Sequence, residues 1–205
     1  PKVSSKRPKH PDADYSNDEL RQTHETILKL GAECLCFEVD VSQQMDVQTM
    51  VNSLLQCWQG VDILINNAGV YGARPFEHIQ QAEWQRQFDV DVNGSFYLTQ
   101  AIWPAMKAQG YGRILMTTGV SALFGDLHQV AFSAAKMALV GMVNSLSIEG
   151  EQYNIYINSL CPQALTAMTR KHLAPAIQPL FCFDTLTATV AFLVSQKAPN
   201  GQHLL

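Results

Sequence analysis

The stretch Val61-Asp-Ile-Leu-Ile-Asn-Asn-Ala-Gly69 decides how the rest of the chain is read. Its apolar run is short and stops abruptly at two amides and two small residues, which suits a buried strand followed by a tight turn. Similar short runs recur at Cys34-Leu-Cys-Phe-Glu-Val39, Arg113-Ile-Leu-Met-Thr117 and Ile155-Tyr-Ile-Asn-Ser159. Helical patterns stand between them. Val47, Met50, Val51, Leu54, Leu55 and Trp58 recur at steps of three and four as far as Gly60, with Ser42 placed to cap that helix. Longer helices are expected from about Gln80 to Lys107 and from Gln129 to Glu149. Upstream, Ser16-Asn-Asp-Glu19 reads as a capping box for a helix that stops at Gly31. Strands joined by helices imply right-handed crossovers and a parallel sheet covered on both faces, a doubly wound α/β architecture.

Composition narrows the function classes. Lys and Arg number 14 against 18 Asp and Glu, a formal net charge of -4, so the chain lacks the basic surface that a nucleic-acid partner requires. Lys2, Lys6, Arg7 and Lys9 read as a solvated tail. No unbroken apolar run approaches the roughly eighteen residues of a membrane helix, so neither a membrane partner nor secretion is expected. The five cysteines, Cys34, Cys36, Cys57, Cys161 and Cys182, are odd in number and mostly in apolar surroundings, which fits a reducing compartment. Cys34 and Cys36 share a strand face, but nothing supplies a second half of a zinc site, and no metal is expected. Without repeats or a Pro/Gly linker, residues 1–205 read as one domain.

Ligands of an open parallel sheet bind beyond the carboxyl ends of its strands, so the residues there are the candidates. Asn66-Asn67-Ala68-Gly69 either admits a ligand close to the backbone or is an ordinary Asx turn. Asp40 is either an acceptor for an amino group or a favourable charge at the start of the next helix. Lys136 is the only Asp, Glu, Lys or Arg between Asp126 and Glu149; it either snorkels to the surface or serves a site that needs its charge. Asn93, in Asp-Val-Asn-Gly94, marks a local distortion of its helix or is a surface amide.

In this order and spacing, Asn66-Asn67-Ala68-Gly69, Asn93, Gly112-Arg113-Ile114 and Ser133-Ala-Ala-Lys136 resemble the short-chain dehydrogenase/reductase family. Asn144-Ser-Leu-Ser-Ile-Glu-Gly150 and Pro162-Gln-Ala164, continuing to Met168-Thr169, are most similar to the dehydrogenase part of its peroxisomal multifunctional members. The resemblance implies a Rossmann-like fold, NAD or NADP as cofactor, 3-hydroxyacyl or 3-oxoacyl thioester substrates, and a homo-oligomer or hetero-oligomer. The expected location is cytoplasmic, with peroxisomal as the alternative that the resemblance adds. Asp40 and Val41 would lie at the adenine, Asn67, Ala68 and Gly69 on the ribose and pyrophosphate side, and Lys136 at the nicotinamide ribose. Asn93 and Lys136 match the family's catalytic Asn and Lys.

Two departures accompany the resemblance. Counting back from Lys136, Phe132 stands at the family's catalytic Tyr and Gly119 at its catalytic Ser. A phenyl ring exchanges no proton and glycine offers no hydroxyl, so a degenerate active site is expected, with Ser121 and His128 as candidate substitutes. The family's first strand and Gly-rich phosphate turn have no counterpart before Gly31, so the domain is expected to be incomplete at both ends. The expected function is therefore an oxidoreductase with an altered centre, or else a catalytically silent cofactor-binding or structural subunit.

Overall fold

A computed structural model describes residues 18–166, 169, 174–178, 181 and 183–205. The basic tail, Ser16 of the expected capping box, Met168 and Cys182 lie outside these residues. Helix α1 spans Asp18–Lys29, and Gly31 follows it at φ +84°, a conformation that costs glycine nothing. Helix α2 spans Gln44–Trp58 and buries Val47 and Val51. Its start differs from the expectation: Gln43 holds the cap position, while the Ser42 amide and hydroxyl donate to Asp40 Oδ1 at 3.0 and 2.7 Å. Ser42 thus closes an Asx turn around Asp40 rather than capping the helix.

Among the described residues four parallel strands form the sheet in the order β1 (Ile63–Asn66), β2 (Gly112–Thr117), β3 (Ile155–Leu160) and β4 (His203–Leu204). The sequence reading misses β4 because two residues carry no period. It also places a strand at Cys34–Val39 that does not form: the segment has no regular structure and half-buries most of its side chains. A strand exists only through its ladder, and among the described residues β1 is hydrogen-bonded to β2 alone.

The pleat divides the interior into two faces. Leu64, Ile114, Met116, Ile155 and Ile157 point to one face, where they pack with Val47 and Val51 of α2 and with residues of two long helices. Those helices are α4 (Gly94–Gln109), contributing Ile102 and Met106, and α6 (Val130–Glu151), contributing Leu139 and Val143. On the other face Leu115 and Leu160 meet Leu193 at the end of α7 (Phe183–Leu193). This second cover does not reach β1, whose Ile63 and Ile65 remain 44% exposed. Arg113 is a structural charge in β2, stacked 4.3 Å from both Tyr111 and Tyr156 and donating to the Asn154 and Ser195 carbonyls.

The long helix expected before β2 is interrupted. Helix α3 (Gln81–Phe88) passes into a π-helical stretch, Asp89–Asn93, before α4 begins. The extra residue per turn changes which side chains face inward, and the distortion falls where Asn93-Gly94 suggested it. Gly94 is required by closeness, since a Cβ there would lie 2.8 Å from Val41 Cγ2. Helix α5 (Val120–Phe124) packs beside α6. At 22 residues, α6 is long and apolar enough to cross a membrane by length and composition, although no unbroken apolar run of that length exists. Here it lies against β3.

Candidate functional site

Thr117, the last residue of β2, ties two expected site elements together. Its hydroxyl donates to Asn67 Oδ1 at 3.1 Å, and its carbonyl accepts from Lys136 Nζ at 3.1 Å. The turn after β1 and the middle of α6 therefore converge beyond the carboxyl ends of the central strands. Asn67, Ala68 and Gly69 are exposed there.

Lys136 does not snorkel. Its side chain is 5% exposed and its ammonium lies 3.0 Å from Asp91 Oδ2, a carboxylate with no exposure. Asp91 also accepts from the Val70 amide on Oδ1 and from Gln87 Nε2 on Oδ2, each at 2.9 Å. One carboxylate thus holds the end of the β1 turn, the α3–α4 junction and α6. A Cβ on Gly69 would stand 3.3 Å from both Asp91 Oδ1 and Lys136 Nζ, so the open backbone of Gly69 lies against the pair.

Asn93, matched by the resemblance to the family's catalytic Asn, lies in the same π-helical stretch as Asp91. Within that stretch Asp91 is fully buried, while Asn93 is only half-buried. Its amide donates to Asp89 Oδ1 at 3.0 Å, one turn back. The sequence reading missed Asp91 because a carboxylate between two valines reads as a surface residue. The inward face of the π-helical stretch appears only with the coordinates.

Phe132 sits one turn before Lys136 on α6, with the ammonium 5.5 Å from its ring centroid. A Cβ added to Gly119 would lie 3.0 Å from Phe132 Cε1. The two altered positions are therefore neighbours, as the family pattern implies. Ser121 Oγ is buried and has no hydrogen-bond partner among the described residues. His128 is exposed at φ +63°, and its carbonyl accepts from the Arg74 amide. Tyr71 meets Phe132 edge-on, centroids 5.4 Å apart; burial, helped by the Asp126 charge, raises its phenol pKa above the ordinary value. Tyr71, Arg74, Ile79, Gln87 and His128 help line a cleft of about 390 Å³ that adjoins the site on this side.

Asp40 is exposed and lies across from α3, where Arg86 Nη1 reaches its Oδ2 at 3.3 Å. The Ser42 hydroxyl and amide, with Arg86 adding, hold its carboxyl below the ordinary value. Val41 packs its side chain against the core and close to Gly94.

The sequence model of the family described as short chain dehydrogenase matches residues 9–177. The chain belongs to the short-chain dehydrogenase family. The chain is 35% identical over 155 residues to the peroxisomal hydratase-dehydrogenase-epimerase of Neurospora crassa, covering 76% of this chain and 17% of that protein. It is 37% identical over 198 residues to the peroxisomal multifunctional enzyme type 2 of Drosophila melanogaster, covering 94% and 31%. The mouse (Mus musculus) enzyme of that name is 38% identical over 136 residues, covering 64% and 18%. The chain thus spans between about a sixth and a third of these relatives. A solved 7α-hydroxysteroid dehydrogenase, complexed with NADH and 7-oxoglycochenodeoxycholic acid, superposes with a TM-score of 0.82 at 24% identity, covering 91% of this chain and 78% of that one. That likeness establishes the fold: a parallel sheet with flanking helices, as the alternation of strands and helices implied.

Proposed function

We propose that residues 1–205 form a single dinucleotide-binding oxidoreductase domain with a degenerate active site. Its parent reaction would be alcohol/ketone interconversion on 3-hydroxyacyl or 3-oxoacyl thioesters. Membership of the family supports NAD or NADP as cofactor, and the names of the relatives support dehydrogenase chemistry and a peroxisomal location beside the cytoplasmic one. The thioester substrate class rests on the resemblance of Asn144–Gly150 and Pro162–Ala164 to the peroxisomal multifunctional members. The observation that carries the reading is the neighbourhood of Phe132, Gly119 and Lys136: Lys136 would be the supporting amine, and neither neighbour bears a group that could touch a reacting oxygen.

The residues fit part of the dinucleotide. Gly69 leaves bare backbone beside the Lys136 ammonium, the kind of close approach a ribose needs. Asn67 and Ala68 would flank the ribose and pyrophosphate, Lys136 would hold the nicotinamide ribose, and Asp40 and the Val41 backbone would meet the adenine. Bound NAD(P) would supply the hydride donor or acceptor. The substrate would enter by the cleft at Tyr71. Phe132 can exclude water from the reacting carbon but moves no proton, and Gly119 orients no carbonyl. Proton transfer then falls to a substitute such as Ser121 or His128.

A second reading, a catalytically silent cofactor-binding or structural subunit, is favoured by the Lys136–Asp91 pair, which already satisfies the ammonium inside the protein. Either way a homo-oligomer or hetero-oligomer is expected, because Phe96 on α4 and Met137 and Ile148 on α6 stay exposed. Titrating NADH and NADPH with and without a 3-oxoacyl thioester separates the two: turnover supports the enzyme, and binding without turnover supports the silent subunit. Phe132→Tyr combined with Gly119→Ser should raise carbonyl reduction at least ~10-fold, the lower end of what a positioned general acid contributes. An unchanged rate in the folded double variant sinks the degenerate-site reading.

A further inference from the structure

We propose that Asp91 is a positioning residue, an internal counter-ion that holds the Lys136 ammonium away from ligand and thereby lowers the affinity of this site for an anionic dinucleotide. The inference rests on the reading above that Lys136 faces the cofactor.

The geometry carries it. Lys136 has three N–H donors, and its position leaves few uses for them. One faces Asp91 Oδ2 at 3.0 Å and one the Thr117 carbonyl at 3.1 Å, while the Phe132 ring flanks the amine at 5.5 Å. Asp91 is fixed independently of the lysine by the Val70 amide and by Gln87, whose amide nitrogen is shared with the Val70 carbonyl at 2.8 Å. The carboxylate therefore stays put, and the flexible lysine comes to it. A ligand that recruits the ammonium must compete with a partner already in place. Because the pair is neutral as a whole, it also offers an incoming pyrophosphate no net attraction. A neutral amide at position 91 would keep the hydrogen bond to Val70 and restore a net positive charge beside Gly69.

Two measurements on the full chain test this. In the first, Lys136 is labelled with acetic anhydride, which attacks only the deprotonated, accessible amine, and the rate is read by peptide mass spectrometry. D91N should label at Lys136 at least tenfold faster than the unchanged chain, with other lysines unaffected. Equal protection in the two proteins overturns the counter-ion. In the second, NADH binding is followed by fluorescence. D91N should bind at least tenfold more tightly, and D91N combined with Lys136→Met should lose the gain. Faster labelling with unchanged affinity overturns the effect on binding. Faster labelling with no dinucleotide bound by any variant sinks the cofactor reading while the counter-ion stands. Should D91N fail to fold, Gln87→Leu loosens the carboxylate while keeping both charges; it carries the same expectations at about threefold, and the same two failures overturn them.

Discussion

Two acid–base pairs flank the candidate site, and they differ in almost everything but chemistry. Lys136–Asp91 joins α6 to the π-helical stretch with side chains 5% and 0% exposed; Arg86–Asp40 joins α3 to the segment before α2 with side chains 53% and 45% exposed. The distances, 3.0 and 3.3 Å, barely distinguish them. Burial does. In the interior, each charge has lost its water and depends on the other, whereas at the surface solvent replaces a lost partner at little cost. The inner pair should therefore matter to stability and the outer pair little.

Breaking the inner pair should have the largest effect. Asp91→Ala leaves a buried ammonium with one carbonyl, and should cost about 3–5 kcal/mol of stability in urea unfolding. Lys136→Met should cost less, because Asp91 keeps the Val70 amide and Gln87. A larger loss for the lysine variant would reverse this account of which partner is fixed.

A contact of intermediate burial sharpens the contrast through pH. His203 Nε2 meets Asn144 Oδ1 at 2.9 Å and must donate to it, so in the neutral ring Nδ1 accepts from the Ser159 hydroxyl at 2.7 Å. Burial lowers the His203 pKa below 6.5. The unfolded chain then takes up the proton first as pH falls. The contribution is present above about pH 6.5 and is lost on acidification through the lower folded value. The urea midpoint should decline as pH falls from 7 to 5, and His203→Gln should flatten that decline. A midpoint that rises on acidification would refute the assignment. The smallest effect belongs to the outer pair: Asp40→Asn should leave the urea midpoint unchanged within error, and a drop comparable to that of Lys136→Met would erase the distinction between the two pairs.

Much of this was legible in the chain. The strands at Ile63, Arg113 and Ile155 announce themselves because buried parallel strands are continuous apolar runs, and the amphipathic spacing of α2 is equally plain. Lys136 stood out as a lone charge in an apolar helix, and Phe132 and Gly119 followed by counting from it. The failures share one cause. Cys34–Val39 has the composition of a strand and lacks a ladder, and Ser42 has the chemistry of a cap but is taken by Asp40. In each case a partner, rather than the residue, decides the outcome.

The same division holds for the site. The sequence alone determined the alternating α/β fold and the absence of a proton-bearing group at 132 and of a hydroxyl at 119, because apolar periodicity and side-chain identity are local properties. Only the tertiary structure decided that Asp91, and not Asn93, meets Lys136. The two residues of that pair are 45 positions apart, and the turn of helix that aims the carboxylate inward is π-helical, so no local period could have placed it.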